Sequence, residues 1–237
     1  MTALTQPVLV LLPGMDGTGL MFEPFVRALH GLEPLVVRYP AELTSYADCI
    51  DYARAQLPLD RPFLLLGESF SGPVAIALAA EHPRHLAGLV LCVTFAKNPR
   101  PRLARWAAPL LRALPPMRLP MPLLRRLLLG RRAPASLIRL VELMLPQVPT
   151  ATLKRRLLAV VEVDHTALLA QIQVPALALC ASHDRLVPAA ASDWMKTHLP
   201  SLEVHMIQGP HWLLQTRPDE AMRVLQGFLE SKGLSGF

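Results

Sequence analysis

What this sequence lacks narrows it quickly. Only 3 of its 237 residues are cysteine, Cys49, Cys92 and Cys180, each in apolar surroundings. An odd number without paired spacing excludes a disulfide framework and fits buried thiols in a reducing compartment. No Cys/His cluster has metal-ligand spacing, so neither a metal nor another cofactor is expected. The first residues, Met1 to Gln6, lack a basic stretch followed by a long apolar one, so no signal peptide is read and a cytoplasmic location is expected. The run Val8 to Leu12 is too short to span a bilayer and stops at Pro13-Gly14. With 52% hydrophobic and 18% charged residues the chain is not disordered, and its length suits one α/β domain with at most an insertion.

Acidic residues are scarce in one place. Residues 97–165 hold 14 Lys and Arg against 3 Asp and Glu, whereas the remainder holds 10 against 15. Such asymmetry speaks of partners unless it is simply a solvated face. Nucleic acid is disfavoured, because Trp106 is the segment's one aromatic residue and no recognition module is present.

Elsewhere the chain alternates regularly. Val8–Leu12, Leu35–Tyr39, Phe63–Leu66, Leu86–Val93, Val174–Cys180 and Leu202–Ile207 read as strands, separated by helical runs such as Phe22–His30 and Ser45–Leu57, the latter with Ser45 as its N-cap. Near-continuous apolar strands alternating with helices imply a parallel sheet covered on both faces. From Lys97 to Asp164 the alternation stops. Recurrent prolines cut the segment into short amphipathic helices, with Trp106, Leu110 and Leu114 expected on an apolar underside. Arg112, Arg125, Arg126, Arg131, Arg132, Arg155 and Arg156 are expected on a cationic top. The expected division is a core of 1–96 and 165–237 with a helical cap of 97–164.

The stretch Gly67-Glu68-Ser69-Phe70-Ser71-Gly72 follows a strand and opens a helix of small residues. A serine at such a sharp turn stands clear of the sheet at a helix N-terminus, provided its neighbours are small. Serine alone is a weak nucleophile; it needs a base within reach, and the base needs a carboxylate. Ser69, Asp184 and His211 each fall just past the end of an expected parallel strand, on the rim where sites of such sheets gather. The glycine-rich loop Pro13 to Gly19 lacks the spacing of a phosphate cradle and reads as a turn or an oxyanion loop.

Gly14-Met15, the serine turn, Ser182-His183-Asp184-Arg185-Leu186-Val187-Pro188 and Gly209-Pro210-His211 together resemble the landmarks of the α/β-hydrolase superfamily, in order and across nearly the whole chain. The resemblance implies an α/β-hydrolase fold with a mostly parallel sheet of about six strands, the usual first hairpin having no room before Val8. It implies Ser69 as nucleophile, His211 as base and then acid, Asp184 as orienter, and an oxyanion hole from the Met15 and Phe70 amides. Gly14, Met15, Phe70 and Trp212 would line the substrate site, with Met117 and Met121 as further candidates for an acyl pocket. Glu68 and Asp16 read as solvated or bonded to loop amides, His183 as structural and His165 as a surface residue.

The expected activity is carboxylic ester hydrolysis through an acyl-enzyme. Acyl transfer, thioester hydrolysis, and a membrane-surface lipase or lysophospholipase would use the same residues; a non-catalytic binding module would not need them. The layout also resembles the pimeloyl-acyl-carrier methyl ester esterases, whose basic cap receives an acidic carrier. Arg125, Arg126, Arg155 and Arg156 are therefore candidate docking residues, for acyl carrier protein or for an anionic membrane surface.

Overall fold

In the computed structural model, residues 6–130 and 134–234 are described. Arg131 and Arg132, two of the arginines expected on the cationic face, lie outside the described residues. The apolar runs form six strands: β1 Val8–Leu12, β2 Glu33–Val36, β3 Phe63–Glu68, β4 Leu86–Cys92, β5 Ala176–Ala181 and β6 Leu202–Ile207. All pair in parallel, in the order β2-β1-β3-β4-β5-β6. The direction of strand addition reverses around β1, so the loops leaving β1 and β3 meet at a topological switch point.

Strand period decides the two faces. Val8, Val10, Leu12, Phe63, Leu65, Leu89, Leu91, Ala176 and Ala178 point to one side, under α2 (Tyr46–Arg54), α3 (Gly72–Ala80), α8 (Thr166–Leu169) and α9 (Ala190–His198). Leu9, Leu11, Leu64, Leu66, Val90, Cys92, Leu177 and Leu179 point to the other, under α1 (Glu23–Ala28), α10 (Leu213–Thr216) and α11 (Pro218–Ser231). Both faces are buried, which is why these strands read as unbroken apolar runs instead of alternating ones. Cys49, Cys92 and Cys180 are buried and unpaired.

Two boundaries differ from expectation. β2 lies two residues early, because after Val36 the chain serves the first loop: Val37 N–H donates to Leu11 O at 3.0 Å and Tyr39 N–H to Gly17 O at 2.8 Å. The helix expected over Phe22–His30 is a 3-10 turn, Leu20–Phe22, followed by α1; the chain turns out of it before Gly31, at φ 75°. Ser45 caps α2 as read, accepting from Asp48 N at 3.1 Å.

Between β4 and β5 the chain forms α4 (Pro101–Ala113), α5 (Met121–Leu128), α6 (Ala135–Met144), a 3-10 turn Leu145–Gln147, and α7 (Thr150–Glu162). Leu129, Leu137, Leu140, Val141, Met144 and Val148 make a separate small core with Met21 and Trp212. The two ends of the segment are stitched together: Asn98 N–H donates to Val163 O at 3.1 Å, and the Asn98 amide to Val161 O at 3.0 Å. The expected apolar underside of α4 is not one. Trp106 is 73% exposed, and only Ala108 of this helix is buried, where α4 packs on α7.

Candidate active site

The β3-to-α3 turn explains its own sequence. Ser69 sits at φ 50°, a left-handed conformation that costs a non-glycine residue energy and persists only where its surroundings hold it. Here Thr94 holds it, its hydroxyl donating to Ser69 O. A Cβ at Gly67 would lie 2.6 Å from Ser71 O, and one at Gly72 would lie 1.9 Å from the Thr94 hydroxyl, so these two positions require glycine. Ser71, standing between them, is used for its hydroxyl. It donates to Pro13 O and, its one proton thereby committed, accepts from the Tyr39 hydroxyl at 3.1 Å.

Three strand ends bring one relay together. The half-buried Ser69 Oγ donates to His211 Nε2 at 2.9 Å, and His211 Nδ1–H donates to Asp184 Oδ2 at 2.7 Å. The other Asp184 oxygen accepts from Leu186 N at 2.8 Å and Val187 N at 2.9 Å, so the carboxylate cannot rotate away. The His211 and Asp184 side chains are each 3% exposed. Their hydrogen bond is thus shielded from water and sets the tautomer that leaves Nε2 free to accept from serine.

Beside the serine runs the loop Pro13 to Gly19. Its three carbonyls around Gly14 are all engaged: Pro13 O by Ser71, Gly14 O by Gly17 N at 3.0 Å, and Met15 O by Arg156 Nη1 at 3.0 Å. With every carbonyl turned into the protein, the Met15 amide finds no protein acceptor among the described residues. Phe70, fully buried, stacks on Tyr46 with ring centroids 4.7 Å apart. The Tyr46 hydroxyl is itself buried without a partner among the described residues.

Arg156 corrects the expectation for it. Read as a docking cation beside Arg155, it is fully buried, while Arg155 and Arg126 are exposed and Arg125 half-buried. α7 turns successive residues by about 100°, enough for two adjacent arginines to fall on opposite sides of its buried edge. The guanidinium of Arg156 donates to three carbonyls: Met15 at 3.0 Å, Pro40 at 3.0 Å and Leu43 at 2.9 Å. It also approaches the Tyr39 and Phe70 rings. A Cβ at Gly17 would lie 2.3 Å from Nη1, so that glycine makes room for the arginine.

Trp212, Met117 and His165 depart from their readings, whereas His183 and Asp16 keep theirs. Trp212 is packed into the small core and donates its amide to Leu128 O at 2.9 Å, which makes it an anchor of the helical segment and not an open wall. Met117 is 69% exposed, and Met121 packs against the small core. His165 is no surface residue: its Nδ1 bonds Pro73 O at 2.9 Å and its ring meets Tyr46 edge-on. His183 pairs with the Ser182 hydroxyl at 3.0 Å, outside the relay. Asp16 accepts from Thr18 N, as a loop carboxylate would.

Glu68 is buried, not solvated, and accepts from Gln215 Nε2 at 2.9 Å. Burial, reinforced by the Asp16 charge, pushes its carboxyl up to about 7. Burial likewise raises Asp16 above its ordinary value. Gln215, Thr94 and Tyr39 carried no signal in the sequence beyond small offsets from residues already noticed. Among the described residues, no group of three His, Cys, Asp or Glu could hold a metal ion.

A six-stranded parallel sheet with a strained serine at one strand end and Asp and His on neighbouring loops is the architecture of an α/β hydrolase. A family profile described as serine aminopeptidase, S33, matches residues 30–213, and the chain belongs to this hydrolase family. Among curated proteins it is 26% identical over 252 residues to a biotin biosynthesis bifunctional protein BioHC of Cellvibrio japonicus, covering 96% of this chain and 48% of that one. A local match, 38% over 81 residues, joins 34% of this chain to 30% of a carbamate hydrolase RutD of Serratia proteamaculans that is itself named only provisionally. The chain thus spans half or less of the length of these curated relatives. Among solved structures, a hydrolase of Oleispira antarctica superposes with a TM-score of 0.79 at 16% identity, covering 95% of this chain and 92% of that one. An enol-lactonase of Burkholderia xenovorans gives 0.70 at 19% identity, covering 95% and 92%. At these identities the structural likeness speaks for the fold.

Proposed function

We propose that the protein is a serine carboxylesterase working through an acyl-enzyme, with residues 97–164 as a cap over a core of 1–96 and 165–237. The observation that carries this reading is the relay of 2.9 and 2.7 Å ending on a half-buried serine. Ser69 Oγ attacks the ester carbonyl carbon and its proton passes to His211 Nε2. The tetrahedral intermediate collapses and expels the alcohol, which takes that proton. Water then repeats the sequence in reverse roles, and Asp184 balances the imidazolium each time it forms. The Met15 and Phe70 amides receive the oxyanion; one such donor is worth about 10²–10³ in rate. Arg156 keeps the Met15 amide aimed by holding the carbonyl of the same residue.

Esters fit this site better than aminoacyl peptides. A substrate α-ammonium needs a carboxylate to meet it, but residues 97–141 contain no Asp or Glu. Glu68 is buried and held by Gln215, and Asp16 is held by Thr18, so each carboxylate is already engaged within the protein. The likeness to BioHC, across 96% of this chain and 48% of that one, supports a second reading of the substrate, an ester borne on an acidic acyl carrier that docks at Arg125, Arg126 and Arg155. Thioester cleavage or transfer to an alcohol would use the same relay and is separated by product analysis.

The test pairs a p-nitrophenyl acyl ester with an aminoacyl p-nitroanilide, and adds labelling by a fluorophosphonate. The expected result is ester turnover and labelling, both lost in Ser69→Ala. Faster cleavage of the anilide, or turnover that survives the substitution, would overturn the reading.

A further inference from the structure

The face of α4 that turns away from the protein is the least explained surface of the molecule. Leu103, Trp106 and Leu110 are 61%, 73% and 60% exposed. Their spacing of three and four residues places them in one stripe. Leu114 continues it at 42%, and the following extended stretch adds Met117 at 69% and Leu119 at 53%. Scattered exposed leucines are ordinary; a stripe of this kind on one helix marks an interaction surface.

The flanks of the stripe carry charge of one sign. Arg102, Arg105 and Arg118 are exposed. From Lys97 to Val141 the chain contains no acidic residue. The helix is also firmly seated. Lys154 Nζ donates to Arg112 O at 3.0 Å and to Leu114 O, and Arg112 pairs with Glu162.

We infer that α4 and the stretch to Leu119 dock on an anionic lipid surface, with Leu103, Trp106 and Leu110 at the acyl boundary and the arginines among the phosphates. Neither half of the surface suits another occupant as well. An acidic protein would satisfy the arginines and leave a tryptophan and its leucines in water. A second copy would cover the apolar stripe but bring two cationic rims face to face, at a repulsion that a two-fold interface cannot avoid. A bilayer with anionic headgroups takes both.

The placement also has a consequence for the site. Arg100, just ahead of α4, donates to Arg185 O at 2.7 Å and Leu186 O at 2.9 Å, on the loop that carries Asp184. A docked α4 therefore holds the rim of the sheet close to the membrane, where an ester with a long acyl chain would be met. Binding itself does not depend on the esterase reading.

The experiment is co-flotation of the full chain, as wild type and as Ser69→Ala, with vesicles of phosphatidylcholine alone and of phosphatidylcholine mixed equally with phosphatidylglycerol, at low and high salt. Both proteins are expected to float with the anionic vesicles at least about tenfold more than with the neutral ones, the preference shrinking as salt screens the headgroups. Trp106→Ser with Leu110→Ser, and separately Arg102→Glu with Arg105→Glu, should each lower partition about tenfold or more while leaving hydrolysis of a soluble short-chain ester unchanged. No flotation, or flotation indifferent to both double substitutions, overturns the inference. So does sedimentation of the free protein as a dimer that Trp106→Ser dissolves, which would name a second copy as the occupant. So, too, does saturable binding of an acidic carrier protein that the arginine reversals abolish and the Trp106/Leu110 pair leaves intact.

Discussion

The rim of the sheet and the helical segment above it are built on different terms. At the rim, each residue of the relay sits just past a strand end, and the strands are held in register by ladders that leave little choice of position. Ser69, His211 and Asp184 belong to three separate loops yet meet within hydrogen-bonding distance. In the segment between β4 and β5, position depends on packing. Arg155 and Arg156 are adjacent in α7, and one lies in solvent while the other is fully buried against three loop carbonyls. The lesson is that a rim residue can be located from its place in the chain, whereas the position of a residue in the helical segment follows only from packing.

The contrast can be broken most sharply at the rim. Ser69→Ala should lower kcat for a soluble ester by about four to six powers of ten while leaving the melting temperature close to wild type. A collapse of stability instead would mean that the serine hydroxyl serves the fold.

The next largest effect is expected at the buried arginine. Arg156→Ala leaves three carbonyls without a donor and releases the loop at Met15, so kcat should fall about tenfold to a hundredfold with a smaller change in KM. Binding of a boronate transition-state analogue should weaken in parallel, and added guanidinium ion should restore part of the rate. Loss of stability with unchanged kcat per folded molecule would reduce Arg156 to a clamp. The same substitution at Arg155 should leave turnover of a soluble ester within about twofold and cost little stability, as exposed positions do. Equal effects at both arginines would erase the contrast.

Glu68 sharpens the comparison through pH. Its carboxyl is raised by burial from 4.5 to about 7, so between those values the folded state binds more protons than the unfolded one. Its contribution to stability is therefore present in full below about 4.5 and falls as pH rises toward about 7. The difference in melting temperature between wild type and Glu68→Gln should shift against wild type across that window. A flat difference would mean that the buried carboxyl titrates alike in both states.

Much of this was legible in the chain. Strand-length apolar runs alternating with helices suffice for a doubly covered parallel sheet, because a strand buried on both faces must be apolar throughout. Ser69, Asp184 and His211 were legible because parallel strands deliver their C-terminal ends to one side. The spacing of α4 shows an apolar stripe but not that the stripe turns outward, since periodicity says that a helix has an apolar face and not which way it turns. Glu68 reads as solvated or bonded to loop amides because nothing local announces that Gln215 will reach it.

The amino-acid order by itself determined the sheet, its covering helices, the serine turn with its small neighbours, and the concentration of positive charge between Lys97 and Asp164. These are local matters: backbone geometry, side-chain volume and hydrophobic period act over a few residues. Only the tertiary structure decided that Ser71 and Arg156 hold the carbonyls of Pro13 and Met15, that Trp212 anchors α5, and that Trp106 faces out. Those contacts join residues far apart in the chain, and burial is a property of what packs on a residue, which no window of sequence contains.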